Sequence, residues 1–558
     1  MTPPVALAAA PETWLAATRA ANLLVRQGCR VIWSTTGFSG LSAGRQVTFP
    51  QGSFLVVDGA LPDAFPGVAL VPLDTSPVVA GTVLRPIRIG VYGSGGAPYN
   101  HAAAFTAMGF LTEFLFAQDI LDGALADIDI LAVPGGGARA MFGQLDPLGE
   151  TGCAAIRDFV AAGGMYLGSC AGAFDASLVG AGFVAACPQQ KQLQMINAAV
   201  WNSGTAWMGL QSPGVGVLTA AVAAADHPVT CGLPPEIDVT HYNGPLYLLR
   251  QGTVGDASDA VGLTRVTGVR PVFTPAENFL GENHPEAGWL VTKAVATQAY
   301  NAVAGGFGSG RVVLFGSHPE FGLGLDLDAW GEPSRLMANA GLWHAGSAGI
   351  AREERSPPRM AAITAARPWA TAATVRTRVD RVAAEARALG ARDATGKDWL
   401  GPTKAMSTFG VPAPAIWARN LASFDATARR INTALDQLQD LMDQLSQVPA
   451  SDGVEQAIRF AAPAEWNNDF GYEGVLQQLD RAERMLVAAG TGFDDVLPGL
   501  AHAYDLLDRS PFHLAVGSYL SATGVFGNVL LLLQMQRDRL ETAMIAGQIG
   551  RSALARAQ

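Results

Sequence analysis

The sequence predicts an α/β protein that ends in an all-α region. Between residues 86 and 345, short apolar runs that close on glycine alternate with helix-like segments, the pattern of strands feeding helices. Beyond residue 370 the period changes. Val375, Val379, Val382, Ala386 and Leu389 recur at 4-3-4-3 spacing, and so do Ile431, Leu435, Leu438, Met442 and Leu445. Such stripes are the buried faces of packed helices, in a bundle or a short coiled hairpin. Composition agrees: 49% of the 558 residues are hydrophobic and 15% charged, enough apolar material for two or three domain cores and too little charge for a disordered chain.

Residues 1–85 read as a small α/β N-terminal region. Trp14, Ala17, Ala21 and Leu24 line one face of a helix over 14–27. Cys29 to Trp33, Ser53 to Val57 and Val68 to Val71 read as strands. The main α/β domain spans 86–345. Its first strand is Ile87 to Tyr92, followed by Gly93-Ser94-Gly95-Gly96. This loop lacks the glycine spacing of a dinucleotide site or a P-loop, so it is expected to be a tight strand-to-helix turn, with a helix over 100–118. Asp127 to Val133 is the next strand. Glu353-Glu354-Arg355-Ser356-Pro357-Pro358 and Arg367-Pro368 mark a linker over 346–370, and 371–558 is the helical region.

Several function classes are excluded by composition. A formal net charge of -11 disfavours a nucleic-acid partner. The five cysteines are odd in number and contain no C-x-x-C pair, against a disulfide framework or a zinc site. No metal site and no cofactor are expected. Met1-Thr2-Pro3-Pro4 opens without a basic n-region or a proper apolar core, unlike a secretory signal. Leu514 to Leu533 is apolar but broken by Gly517, Ser518, Ser521, Gly524, Gly527 and Asn528. It reads as a buried helix or helix pair rather than a membrane span. The expectation is a soluble, cytoplasmic protein.

The chemistry concentrates at Gly163 to Ala173. Met165, Tyr166 and Leu167 form a buried strand that turns into a helix at Cys170, with Gly168 and Gly172 on either side. A nucleophile on such a turn sits in a strained backbone, and its flanks must be small so that strand and helix can approach. The helix N-terminus aimed at the sulfur favours thiolate. A thiol nucleophile needs a base, and the base an orienting group. Gly310 to Phe315 is a second buried strand that runs into His318-Pro319-Glu320, which supplies both. His284-Pro285-Glu286 repeats the string in a polar loop without a preceding buried strand; His318 is preferred because a base needs a rigid mount.

With G-x-C-x-G on a strand-to-helix turn and a later strand ending in H-P-E, residues 86 to 323 resemble the class I glutamine amidotransferase-like superfamily. The run Gly164-Met165-Tyr166-Leu167-Gly168-Ser169-Cys170-Ala171-Gly172-Ala173 is most similar to the branch named after the N-terminal domain of biotin-protein ligase. The resemblance implies a flavodoxin-like fold, an open and mostly parallel sheet flanked by helices, and a Cys170–His318–Glu320 triad. It also implies that the loop Pro134-Gly135-Gly136-Gly137 contributes to an oxyanion hole, a role expected of the backbone of Gly136 together with that of Ala171. Gly runs at the ends of parallel strands are where ligands bind. Gly135, Gly137, Arg139, His241 and Asn243 are candidate substrate contacts, Arg139 as a carboxylate clamp.

The sequence departs from the family in one place. Glutamine-hydrolysing members carry a Gln shortly after the second elbow glycine, where this chain has Ala173-Phe174-Asp175. The expected activity is therefore a cysteine-dependent amidase or amidotransferase-like hydrolase on a small-molecule or peptide-like amide, with free glutamine a poor substrate. The alternative is an inactive ligand-binding or protein-interaction module. In either case the helical region is a candidate surface for a protein partner or a second copy.

Overall fold

A computed structural model of the chain describes residues 3–59, 61–96, 98–135, 145–179, 193–200, 215–242, 244–250, 256–269, 297–321, 330–347, 367–394, 413–446 and 525–557, with isolated positions at 295 and between 479 and 486. The N-terminal region holds β1 (Val5–Leu7), α1 (Trp14–Arg26), β2 (Arg30–Trp33), the hairpin β3 (Phe38–Ser42) and β4 (Arg45–Phe49), β5 (Phe54–Asp58), β6 (Val71–Pro72) and β7 (Thr82–Val83). Five of these strands form an antiparallel sheet in the order β6-β1-β5-β2-β7. The predicted face of α1, Trp14, Ala17, Ala21 and Leu24, is buried. Arg335 staples this region to the main domain. Its buried guanidinium donates to the carbonyls of Gly232, Ala9 and Gln51.

The main domain starts with β8 (Arg88–Tyr92) and α2 (Pro98–Ala107). Here the structure corrects the single helix expected over 100–118. The helix ends at Ala107, Gly109 takes φ +82, and the chain continues as β9 (Leu111–Leu115) and α3 (Ala117–Leu121). The left-handed glycine stops the helix, and Leu111-Thr112-Glu113-Phe114-Leu115 pairs in parallel with β8. Next come β10 (Ile130–Val133), α4 (Gly149–Ala161), β11 (Met165–Ser169) and α5 (Ala171–Ala176). β12 (Ala198–Val200), β13 (Val215–Val222), β14 (Glu236–Tyr242), β15 (Tyr247–Leu249), β16 (Val261–Val269), β17 (Tyr300–Phe307) and β18 (Gly310–Phe315) follow, and α6 (Glu332–Ala345) closes the domain.

The strands build one 11-stranded sheet along the path β14-β13-β16-β17-β18-β11-β10-β8-β9, with β12 paired to β15 and β15 to β17. The expectation of a mostly parallel sheet is corrected. Among the described strands, β18-β11-β10-β8-β9 is parallel, and the pairs beyond β18 are antiparallel. The parallel strands β8, β10 and β11 are joined by crossovers that contain helices. β17 and β18 are separated only by Ser309 and its neighbour Gly308, and so short a connection permits only antiparallel pairing.

The helical region contributes α7 (Arg367–Ala394), α8 (Ala413–Ser446) and α9 (Val525–Ala557). The residues expected to end the linker, Arg367-Pro368, instead open α7, because proline is tolerated in a first turn. Val375, Val379, Val382 and Ala386 are buried, as are Ile431 and Leu435. The side chains of Leu389, Leu438, Met442 and Leu445 lie outside the described residues. The apolar stretch ending at Leu533 enters α9, whose residues 529–540 are buried. α9 packs against both α8 and α2. Arg539 donates to the carbonyl of Thr112, and Arg19 on α1 pairs with Glu541 at 3.4 Å. Among the described residues no helix is long and apolar enough to cross a membrane.

Candidate active site

The site is built where three neighbouring parallel strands end. β11 lies between β10 and β18, and all five of its residues are buried. Its last residue is followed by Cys170, whose backbone takes φ 49, ψ -110, a conformation rare for a side chain with a Cβ and one that stores strain. The surroundings impose it. The Cys170 N–H donates to the carbonyl of Phe315 at the end of β18, while its own carbonyl accepts from Phe174 and starts α5. The turn is tight enough that only glycine fits beside it. A Cβ on Gly168 would stand 2.6 Å from the Gly172 carbonyl oxygen, and one on Gly172 would overlap the carbonyl of Val133.

β10 delivers the second piece. A Cβ on Gly135 would lie 2.6 Å from Cys170 Cβ and 2.7 Å from His318 Cε1. The thiol-bearing residue and the imidazole thus flank the same glycine. His318 follows β18 and is anchored by its N–H to the carbonyl of Thr240 at 2.7 Å. Its ring lies flat on Phe321, with centroids 4.2 Å apart and planes at 8°. His318 Nδ1 and Glu320 Oε1 are 2.7 Å apart, a charge-assisted hydrogen-bond distance. Cys170, His318 and Glu320 are each at most 1% exposed.

This burial sets the electrostatics. It opposes charge on the His318 ring, but the Glu320 carboxylate and Cys170 outweigh it and raise the pKa to about 10. Burial also opposes charge on Glu320, and the rings of His101 and His318 overcome it, holding the carboxyl below its ordinary range. The site is therefore suited to keep an ion pair between Glu320 and His318 in a water-poor setting.

Of the other residues singled out from sequence, Ala171 opens α5 directly behind the sulfur-bearing residue. His241 is buried on β14, with Nδ1 3.0 Å from Ser317 Oγ; burial, and then the charge on His318, lower its pKa to about 3. Gly136, Gly137, Arg139, Asn243 and His284 lie outside the described residues. Among the described residues no group of three or more His, Cys, Asp or Glu is arranged to hold a metal ion.

Sequence reasoning missed a set of supporting polar residues. His101 on α2 has Nε2 3.0 Å from Ser169 Oγ and Nδ1 3.8 Å from Glu320 Oε1. Asn301 donates to Ser317 Oγ at 3.4 Å and accepts from Thr264 Oγ1 at 2.9 Å. One signal for His101 existed: it is an imidazole in the apolar run Tyr99 to Phe105 of a helix that proves to be buried throughout. Asn301 and Thr264 had none, since their meeting depends on the register between β16 and β17.

No family model matches the chain, and no curated protein sequence does either. Solved structures similar to it include a chain of PurLQS from Thermotoga maritima, at 14% identity over 46% of this chain and 98% of that one, with a TM-score of 0.30. Another is a glutamine amidotransferase from Thermotoga maritima, at 13% identity over 47% of this chain and 96% of that one, with a TM-score of 0.26. At these scores the likeness carries no argument about chemistry, which rests on the residues themselves.

Proposed function

We propose that this chain is a cysteine-dependent amidase or amidotransferase-like hydrolase whose main domain is of the class I glutamine amidotransferase-like type. One observation carries the reading: a cysteine held at positive φ on a strand-to-helix turn shares Gly135 with an imidazole that is itself bonded to a buried carboxylate. In the proposed reaction the Cys170 sulfur attacks the acyl carbon of an amide, and His318 holds the thiol proton. The proton passes to the leaving nitrogen as the C–N bond breaks, which leaves a thioester on Cys170. His318 then takes a proton from water, the hydroxide attacks the thioester, and the acid departs as the thiol is restored. Glu320 holds Nδ1 of the ring and stabilises its charge. The backbone N–H of Ala171 and the loop at Gly135-Gly136 are assigned to the oxyanion.

The substrate is expected to be a larger amide or peptide-like acyl group rather than glutamine. Phe174 stands near where the glutamine-hydrolysing members of the resembled superfamily carry a Gln, and an aromatic ring cannot supply that group's paired donor and acceptor. The test is amine release from a panel of N-acyl arylamides and short peptide amides, with millimolar glutamine as the comparator and Cys170→Ser as the blank. Cys170-dependent turnover of a panel member supports the reading. Failure of every member, together with a thiol no more reactive than the other four, overturns it.

A further inference from the structure

Glu320 faces two imidazoles rather than one. His318 takes one side at 2.7 Å. His101 approaches from α2, its Nδ1 3.8 Å from the same Oε1, with side-chain exposures of 0% and 1%. His101 is also tied to the elbow, since its Nε2 meets Ser169 Oγ at 3.0 Å, and Ser169 precedes Cys170. One buried carboxylate cannot neutralise two imidazolium rings. His318, at hydrogen-bond distance, takes the charge, and His101 stays neutral: burial lowers its pKa, Glu320 opposes this, and the charge on His318 adds to it.

Neutrality fixes the His101 tautomer. A ring nitrogen facing an ionised carboxylate must carry its proton, because a lone pair there would repel the charge. Nδ1–H therefore points at Glu320, and Nε2 accepts the hydroxyl proton of Ser169. The separation from Glu320 exceeds a hydrogen bond, so the ring acts on the carboxylate as an oriented dipole in a low-dielectric setting.

We propose that His101 is a positioning residue for the reaction assigned to Cys170: it holds Glu320 ionised and aimed at His318, and Ser169 couples that hold to the nucleophile's turn. The proposal rests on the amidase reading. It also gives the helical region a part, because α9 packs on the helix that carries His101. Among the described residues, Cys170 on the elbow and His241 on β14 are titratable groups that act on the His318 ring, and the Tyr247 phenol on β15 lies beside Cys170. α6, packed against the 319–321 turn, offers it the Ser334 hydroxyl, which donates to the Pro319 carbonyl.

The experiment is the pH profile of Cys170 labelling by methyl methanethiosulfonate in the full chain, read by peptide mass spectrometry. His101→Phe keeps a flat ring, somewhat larger than imidazole, and removes both nitrogens. His101→Asn keeps a donor near the place of Nδ1, and His101→Gln reaches only toward Ser169. His101→Phe is expected to move the acid limb of the profile up by about one pH unit with its plateau unchanged. His101→Gln should behave like Phe, and His101→Asn like wild type. A purely packing role would change the plateau or the thermal midpoint and leave the limb in place. If His101→Phe does not fold, the difference between Asn and Gln decides. A wild-type limb in both Phe and Gln, with Glu320→Gln shifted, overturns the proposal and leaves the amidase reading standing. If His318→Asn and Glu320→Gln also leave the limb in place, the amidase reading fails, and this proposal with it.

Discussion

The two halves of the main sheet divide the labour unequally. In the parallel half, β10, β11 and β18 end side by side, and each releases one component: Gly135, Cys170 and His318. Parallel strands all point the same way, so their C-terminal ends gather at one edge. In the antiparallel half, neighbouring ends alternate, and its contribution there is support. The Thr240 carbonyl anchors His318, and His241 with Asn301 brackets Ser317. The difference teaches that the groups assigned to the reaction come from the parallel ends, while the antiparallel strands hold them in place.

Breaking the parallel side should have the largest effect. Cys170→Ser is expected to reduce amide turnover by about 10³-fold or more while the thermal midpoint changes little, since the swap removes little volume. A large loss of stability alongside inactivity would make Cys170 a structural residue. Gly135→Ala pushes a methyl between Cys170 and His318 and should cost about 10²-fold in activity through misplacement alone, measured on the same substrate with folding checked by circular dichroism.

The strain at the elbow gives a sharper stability test. Alanine is normally better tolerated than glycine, but at φ 49 the order should invert. Cys170→Gly is expected to be more stable than Cys170→Ala by about 1 kcal/mol in urea unfolding. The reverse order would remove the strained-turn account.

The supporting side should show itself in pH dependence. His241 is lowered in the fold to about 3 from an ordinary 6.5. Between those values the unfolded chain binds a proton that the folded chain refuses, so stability falls as pH falls, by up to ~1.4 kcal/mol per pH unit. Substituting His241→Gln should flatten that acid slope. His318 has the opposite sign. Its pKa is raised to about 10, so its stabilisation is complete below about 6.5 and fades as pH rises through about 10. His318→Asn should flatten the alkaline slope instead. Thermal midpoints from pH 4 to 10 check both, and matching slopes in the two variants would contradict the assignment.

The smallest effect is expected far from either half, where Arg430 meets Glu541 at 2.8 Å with the arginine half exposed. Arg430→Ala should change stability by less than about 1 kcal/mol in the same urea measurement.

Sequence legibility follows the same division. That Cys170, His318 and Glu320 lie together was foreshadowed in the sequence because each strand and the turn after it are contiguous in the chain, and glycines that permit the elbow turn flank Cys170. The parallel core was readable from apolar runs ending in glycine. The antiparallel half was not, since a strand such as Val261–Val269 mixes glycine and threonine with its apolar residues and gains its identity from pairing. Nor was β9, hidden behind a helix-like run until Gly109 broke it. His101 and Asn301 matter only through tertiary contact, and no local spacing joins them to Glu320 or Ser317.

The central claim is that Cys170 is set apart from the other four cysteines by His318. The direct measurement is site-resolved labelling of all five thiols by a small electrophile at pH 7, in wild type and in His318→Asn. The account predicts that Cys170 is modified first in wild type and loses that lead, by about tenfold or more, in the variant. Equal labelling of the five cysteines, or a Cys170 lead that survives His318→Asn, contradicts it.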